Sequence, residues 1–454
     1  MRKVFFLTIL QVLGLLALAQ PVIPFRPLRY EEDYSALAND SIRKKYPAFK
    51  YITLSQRQPV YMSIGGELRA QYFYSKHESW GLESNPSYHY GLTRALLHAD
   101  IHNGAWRAFV QLQSSVAIDR PDPSPVDQNP LDLHQVFAEY KWGNDGAWMI
   151  RAGRQELMLG SQRLVSVREG PNNRQAFDGV RLQWHTQQRR IDFLYTHWVA
   201  AEKGWFDDAP GNNTRLWGVY TVFNQLPLIA NADFYYLGLW KKKAVFEDAT
   251  GEELRHSWGT RLWKKAGSWQ YDVEAVYQLG SINGKRINAW TGSLHLLHQW
   301  LHWKGKPELA LKTEWISGDR HNGDNSLQTF NPLFPRGAYF GLAALIGPAN
   351  LIDLHPSITY HLHPHWELNA DYDLFWRYSR RDGLYGPNGA LFYEGKQYFN
   401  KFIGGQLAGS LVFTPYPAFS LQAEFTWFYP GSFLKESGAD KNLIFTGLTS
   451  QFRF

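Results

Sequence analysis

The chain has 454 residues, a formal charge of +6 and no cysteine, and 16% of it is aromatic, with 19 tryptophans and 25 tyrosines. The charge is too small to argue for nucleic acid as a partner. The lack of cysteine excludes a disulfide framework, a thiolate metal site and a thiol nucleophile. No segment past residue 20 holds the eighteen or so consecutive apolar residues of a spanning helix. A mean hydropathy of −0.39 beside so much tryptophan and tyrosine fits a sheet with one polar face and aromatic belts at two interfaces.

Arg2 and Lys3 precede an apolar run from Val4 to Leu16, and Ala17-Leu18-Ala19 supplies small residues for cleavage. Residues 1–19 therefore read as a secretory signal peptide, with Gln20 first in the mature chain. Residues 20–60 carry Pro21, Pro24, Pro27, Pro47 and Pro59 among mixed charges without a period, and read as a periplasmic lead-in.

From 61 to 454 the side chains alternate in segments of roughly ten residues. Val180, Leu182 and Trp184 point one way, and Arg181, Gln183 and His185 the other. Strands are predicted at 61–75, 91–102, 105–116, 133–142, 147–155, 176–186, 190–200, 213–223, 230–240, 256–264, 268–280, 285–300, 307–317, 351–362, 366–378, 397–411, 418–429 and 442–454. Asn103-Gly104, Gly143-Asn144-Asp145-Gly146, Gln187-Gln188-Arg189, Lys265-Ala266-Gly267 and Pro415-Tyr416-Pro417 suit tight turns. Longer links at 117–132, 156–175, 201–212, 241–255, 318–350, 379–396 and 430–441 fall between them. An even set of strands with short and long connections in alternation predicts an all-β, transmembrane, antiparallel up-and-down β-barrel of about 18 strands in a bacterial outer membrane. Closure leaves no sheet edge, so a monomer embedded in outer-membrane lipid is expected. The last strand ends Gln451-Phe452-Arg453-Phe454, with the phenylalanines outward, and resembles the signal read by the outer-membrane assembly machinery.

If the apolar face meets lipid, parity assigns the lumen side chains. Glu67, Arg69, Gln71, Arg94, His98, Asp100, Arg107, Glu139, Lys141, Arg151 and Arg181 crowd the first third; Arg261, Glu274, Lys312, Glu314, Asp371, Asp373, Arg377 and Glu424 follow. Guanidinium groups stay charged and offer a fork to carboxylates, so the arginines suit anions. Mutual pairing within a solvated lattice is the plain alternative. His98 and Asp100 share a face without a nucleophilic serine motif beside them, so an enzyme is not expected. His361, His363 and His365 straddle Pro364 and read as a solvated turn. No cofactor is implied.

Ile150-Arg151-Ala152-Gly153-Arg154-Gln155-Glu156-Leu157, with Gly160, Arg163-Leu164-Val165, Asn173, Arg174 and Phe177-Asp178-Gly179-Val180-Arg181-Leu182, resembles the central signature of the bacterial alginate export family. Ser317-Gly318-Asp319 and Thr329-Phe330-Asn331-Pro332-Leu333-Phe334-Pro335-Arg336, with Tyr339 and Phe340, is similar to its second signature. The resemblance implies an eighteen-stranded barrel that passes an anionic uronate polysaccharide through an arginine-rich constriction, with secretion components of the periplasm as partners. The positive residues of that constriction map onto Arg151, Arg154, Arg174 and Arg181, which stand within the matching motif, and strand parity adds Arg69, Arg94 and Lys141, with Glu67 and Glu139 among them. Arg154 breaks parity with Arg151 and is expected at a strand end or on the inward-folded third outer loop, where Arg163 and Arg168 are further candidates. A general or nutrient-uptake porin for small anions or oligosaccharides is the alternative, and a glycan receptor a third reading. Arg151→Ala and Arg181→Ala are expected to collapse anion selectivity in an exporter and to alter it only slightly in a general porin.

Overall fold

The computed structural model describes residues 23–55, 57 and 59–454; the leader expected at 1–19 lies outside them. Eighteen strands close into one antiparallel sheet: β1 (Val60–Lys76), β2 (Ser87–Asn103), β3 (Trp106–Ile118), β4 (Asn129–Trp142), β5 (Trp148–Gln155), β6 (Phe177–His185), β7 (Arg189–Ala200), β8 (Ala209–Leu226), β9 (Ala230–Val245), β10 (Thr250–Lys264), β11 (Trp269–Ile282), β12 (Lys285–Gln299), β13 (Glu308–Ile316), β14 (Leu351–His363), β15 (Trp366–Arg377), β16 (Phe402–Tyr416), β17 (Phe419–Pro430) and β18 (Leu443–Arg453). Closure comes from β1, whose Glu67 stands opposite Leu96 of β2 on one side and Arg453 of β18 on the other.

The outward face is apolar and open: Leu68, Leu97, Val180, Phe193, Ile358 and Leu448 are all exposed. Side chains like these in a continuous band would drive aggregation in water and suit lipid. Near the short turns, Trp106 packs against Tyr140 with the rings tilted, and Trp142, Trp148 and Trp184 continue the belt. No helix among the described residues is long and apolar enough to cross a membrane; the strands cross it, with every backbone ladder satisfied by a neighbour.

Connections alternate as expected around most of the barrel; the exceptions are the two-residue outer turn at 283–284 and the eight-residue inner link at 300–307. The turns at 104–105, 186–188, 364–365 and 417–418 are short, and Gly104 takes a φ of +57° that a two-residue turn requires. At the other end lie the third loop, L3 (156–176), the fourth, L4 (201–208), and the seventh, L7 (317–350). Several predicted boundaries move. The link expected at 241–255 shrinks to 246–249, because β9 and β10 remain paired through Val245 and Thr250. The strand expected at 397–411 becomes Phe402–Tyr416, so Pro415 and Tyr416 end a strand and the turn falls at 417–418.

The lead-in does not hang free. Leu28, Arg29, Tyr30, Tyr34 and Leu37 are buried, packed inside the barrel near its short-turn end.

Candidate functional site

The register sets a problem in the first third of the lumen. It places Arg69 opposite Arg94, and Arg151 opposite Arg181. Like charges facing across two strands repel, and carboxylates resolve the conflict. Arg94 meets Glu67 at 2.6 Å and also binds Glu169 of L3. Arg69 lies 3.6 Å from Glu169 and donates to the backbone oxygens of Glu169 and Pro171 at 2.9 Å each. Arg174 reaches Glu156 at 2.9 Å and Glu169 at 3.3 Å. Arg151 is 3.2 Å from Glu139, which also meets Arg107, and Arg181 is 2.8 Å from Asp192. Enclosure by protein pushes the Glu169 carboxyl up, but Arg94 and Arg174 outweigh it and hold it below the usual carboxylate range. The wall arginines are therefore committed to ion pairs, those of Arg69 and Arg94 anchoring L3 and those of Arg151 and Arg181 joining neighbouring strands.

The lead-in uses the same wall. Tyr30 sits edge-on to Phe109 and Phe137, with ring centroids 6.1 Å and 5.4 Å away. The Arg151 guanidinium lies 3.9 Å from the Tyr30 ring centroid, a cation–π contact on a fully enclosed ring. The Tyr30 hydroxyl donates to the Glu156 carbonyl at 2.8 Å, Arg107 donates to the Tyr30 carbonyl, and Arg174 to that of Pro27 at 2.9 Å. Arg29 donates to Gly66 at 2.7 Å and Phe454 at 3.0 Å, tying the closing seam of β1 and β18 to the lead-in.

L3 crosses the lumen. Its Glu169 is held by Arg94 of β2, while Ser161 donates to Glu274 of β11 at 2.5 Å. β11 follows β2 by nine strands, half the circumference. Arg163 continues the far anchorage, donating to the Tyr339 hydroxyl and to Thr291 at 2.9 Å each. L7 folds in to meet it: Ser166 donates to the Phe334 carbonyl at 3.0 Å, and Phe334 to that of Leu164 at 2.8 Å. Carboxylates of the second wall hold L7 in turn. Glu314 accepts from the Tyr339 hydroxyl, Glu424 from the Leu342 backbone and Glu253 from Asn331.

Between L3, L7 and the strands β1, β2 and β18 lies a cavity of about 420 Å³. Phe73, Tyr90, Leu92 and Phe445 give it apolar walls, and Arg120 and Arg168 supply charge. Arg120 is compensated by Asp127 at 3.3 Å and Glu78 at 3.6 Å, and lies 4.5 Å from the Tyr90 centroid. Arg168 is different: among the described residues its guanidinium has no carboxylate partner, and its Nε is buried without a hydrogen bond. Burial lowers its pKa. Its φ of +56° is a left-handed value that costs a non-glycine residue energy. Arg336 on L7, next to the Gly337 that lines the same cavity, is also without an ion pair among the described residues and lies 5.3 Å from the Tyr339 ring.

Of the expected constriction residues, Arg69, Arg94, Arg151, Arg174, Arg181, Glu67 and Glu139 are buried together on the lumen side. Two are not in that set. Arg154 points away from the lumen at the outer rim, where it grips Asp178 with Nε at 2.9 Å and Nη2 at 3.1 Å; its place one residue out of step with Arg151 and Gln155 decides this. Lys141 keeps the inward parity of Glu139 but is exposed at the short-turn rim. Tyr30 and Arg336 were not singled out as site residues, since neither lies on a strand whose parity assigns a direction.

An eighteen-strand closed sheet, apolar outside and charged and loop-crossed inside, is a porin-like β-barrel of the bacterial outer membrane, a passive transport protein and not an enzyme. The chain belongs to the alginate export family, which matches residues 60–443. No curated protein matches it. Similar solved structures include OccK3 (OpdO) of Pseudomonas aeruginosa, with 11% identity, 87% of this chain and 95% of that one covered, and a TM-score of 0.57. OccK2 (OpdF) of the same organism in complex with glucuronate has 8% identity, covers 89% and 98%, and has a TM-score of 0.56. A BenF-like porin from Pseudomonas fluorescens has 9% identity, 87% and 99% coverage, and a TM-score of 0.56. At these identities the likeness is one of fold.

Proposed function

We propose that this barrel is a selective channel for small carboxylated sugars, uronate monomers or short oligomers, and that long polyuronate is not its cargo. One observation carries the reading: the uncompensated Arg168 guanidinium beside aromatic and aliphatic walls in a cavity of about 420 Å³. A carboxylate can take both prongs of a free guanidinium, and a sugar ring packs its C–H face on aromatic side chains. A cavity of that size admits a sugar unit or two. A polymer would need an open path, whereas L3, L7 and the lead-in all occupy the lumen. Membership of the alginate export family supports a uronate as the class of cargo, and the glucuronate complex of OccK2 supports a barrel of this shape accepting a monomeric one.

The test is current through single barrels in a planar bilayer, titrated with glucuronate and with a length series of oligouronates. Glucuronate and short oligomers are expected to block transiently and to pass, with longer chains excluded. Sustained passage of long polyuronate would favour export, and indifference to all of them would leave a general porin.

A further inference from the structure

At the outer end of β4, away from the cavity beside Tyr90, a second group of charged side chains converges, with Asn129 opposite Ser115 and Asp132 opposite Gln113 in the ladder. L4 folds over the loop end of β4: Trp205 bridges Leu131, and Phe206 donates its backbone N–H to the Leu131 carbonyl at 3.0 Å. This brings Asp207 and Asp208 against Asp132, with one carboxylate oxygen from each within 4.8 Å of the others. Asp208 donates its backbone N–H to Asp132 at 3.0 Å. Its own carboxylate accepts from the Glu202 backbone at 2.8 Å and from Asn129 Nδ2 at 2.9 Å. Among the described residues Asp207 accepts only from the Gly204 backbone, at 2.9 Å.

Three carboxylates this close need a counter-charge. The cations nearby compensate them only in part: Arg154 stands 3.9 Å from Asp132 and donates to the Asp208 carbonyl at 3.2 Å, but its fork is on Asp178, and Lys203 lies beside Asp122 at 3.9 Å. Asn129 points to a ligand independently. It is fully buried, its amide N–H is spent on Asp208, and its Oδ1 has no hydrogen-bond partner. Reversing the amide would set two oxygens against each other, so the orphaned oxygen is fixed in place.

From these residues we infer that Asn129, Asp132, Asp207 and Asp208 form a divalent-cation site that fastens L4 to the rim of β4. The donors are all oxygen, which selects a hard cation, and their irregular mix of amide and carboxylate suits Ca²⁺ better than the strict octahedron of Mg²⁺. The site faces the outer medium, where weak Ca²⁺ sites fill.

The experiment uses the folded barrel in detergent. Tb³⁺ is added and its emission read on tryptophan excitation, Trp205 being in the same loop; Ca²⁺ then competes. Saturable emission at one ion per barrel, displaced by Ca²⁺, is expected. Asp207→Asn should weaken it at least tenfold, while Asp440→Asn, an exposed change on another loop, should leave it within twofold. Asp207 is exposed and makes one hydrogen bond, so its variant should fold, which heat-modifiable gel migration checks. Ca²⁺ should also slow chymotrypsin cleavage after the exposed Trp205 and Phe206. No saturable emission, equal affinity in Asp207→Asn, equal loss in Asp440→Asn, or cleavage indifferent to Ca²⁺ would each overturn the site.

Discussion

The wall formed by β1 to β7 and the wall formed by β10 to β17 solve the same problem with opposite charges. The first holds Arg69, Arg94, Arg151 and Arg181, and pairs them with carboxylates of neighbouring strands and of L3. The second holds Glu253, Glu274, Glu314 and Glu424, and uses them to grip donors of L3 and L7. Most lumen charge therefore holds loops in place. A permeating solute meets what is left over: Arg168 and Arg336 on the loops, and on the second wall Asp371, whose neighbour is His355 at 3.6 Å. Residual charge, rather than the number of arginines, should set selectivity.

The largest effect is expected from removing residues 23–50. Without Tyr30 packed edge-on against Phe109 and Phe137, single-channel conductance should rise roughly twofold or more; an unchanged conductance would place the lead-in outside the ion path. Next, the two kinds of arginine should part company. Arg94→Ala strands Glu67 and Glu169 and should cost about 3 kcal/mol in urea unfolding, as when one partner of a buried pair is removed, with little change in reversal potential. Arg168→Ala breaks no ion pair and should leave stability within about 0.5 kcal/mol while moving the reversal potential toward cations. If Arg94→Ala shifts selectivity as far as Arg168→Ala, the contrast between committed and residual charge fails.

A smaller effect concerns pH. Burial, with Arg29 adding and Glu32 opposing, brings the Lys50 ammonium down to about 7. Freed from the barrel it would titrate near roughly 10. Docking of the lead-in is then weakest below about pH 7, where a charged amine must be buried, and strengthens as pH rises between those values. Open-channel conductance should be higher at pH 6 than at pH 9, and Lys50→Met should flatten the difference. The smallest change is expected from Asp371→Asn, a modest shift of reversal potential toward anions.

The barrel was legible in the sequence because alternation is a local property: each strand displays its own two faces, and Arg69, Arg94, Arg151 and Arg181 could be assigned to the lumen one strand at a time. What parity cannot show is which partner each charge finds. Glu169 and Arg174 sit on a loop with no period, and their contacts depend on L3 crossing to β11. Arg154 matches the family motif yet faces outward, since a motif fixes identity and only register fixes direction. The lead-in looked featureless because prolines and mixed charges carry no period, and its burial rests on Tyr30 and Arg29 finding partners more than thirty residues away.

The most direct measurement is the swelling of proteoliposomes in sodium glucuronate against neutral glucose, for the native barrel and for Arg168→Ala. Glucuronate should enter several times faster through the native barrel, and Arg168→Ala should bring the two rates together. Equal rates through the native barrel, or a preference for glucuronate that survives the loss of Arg168, would contradict selection by residual charge.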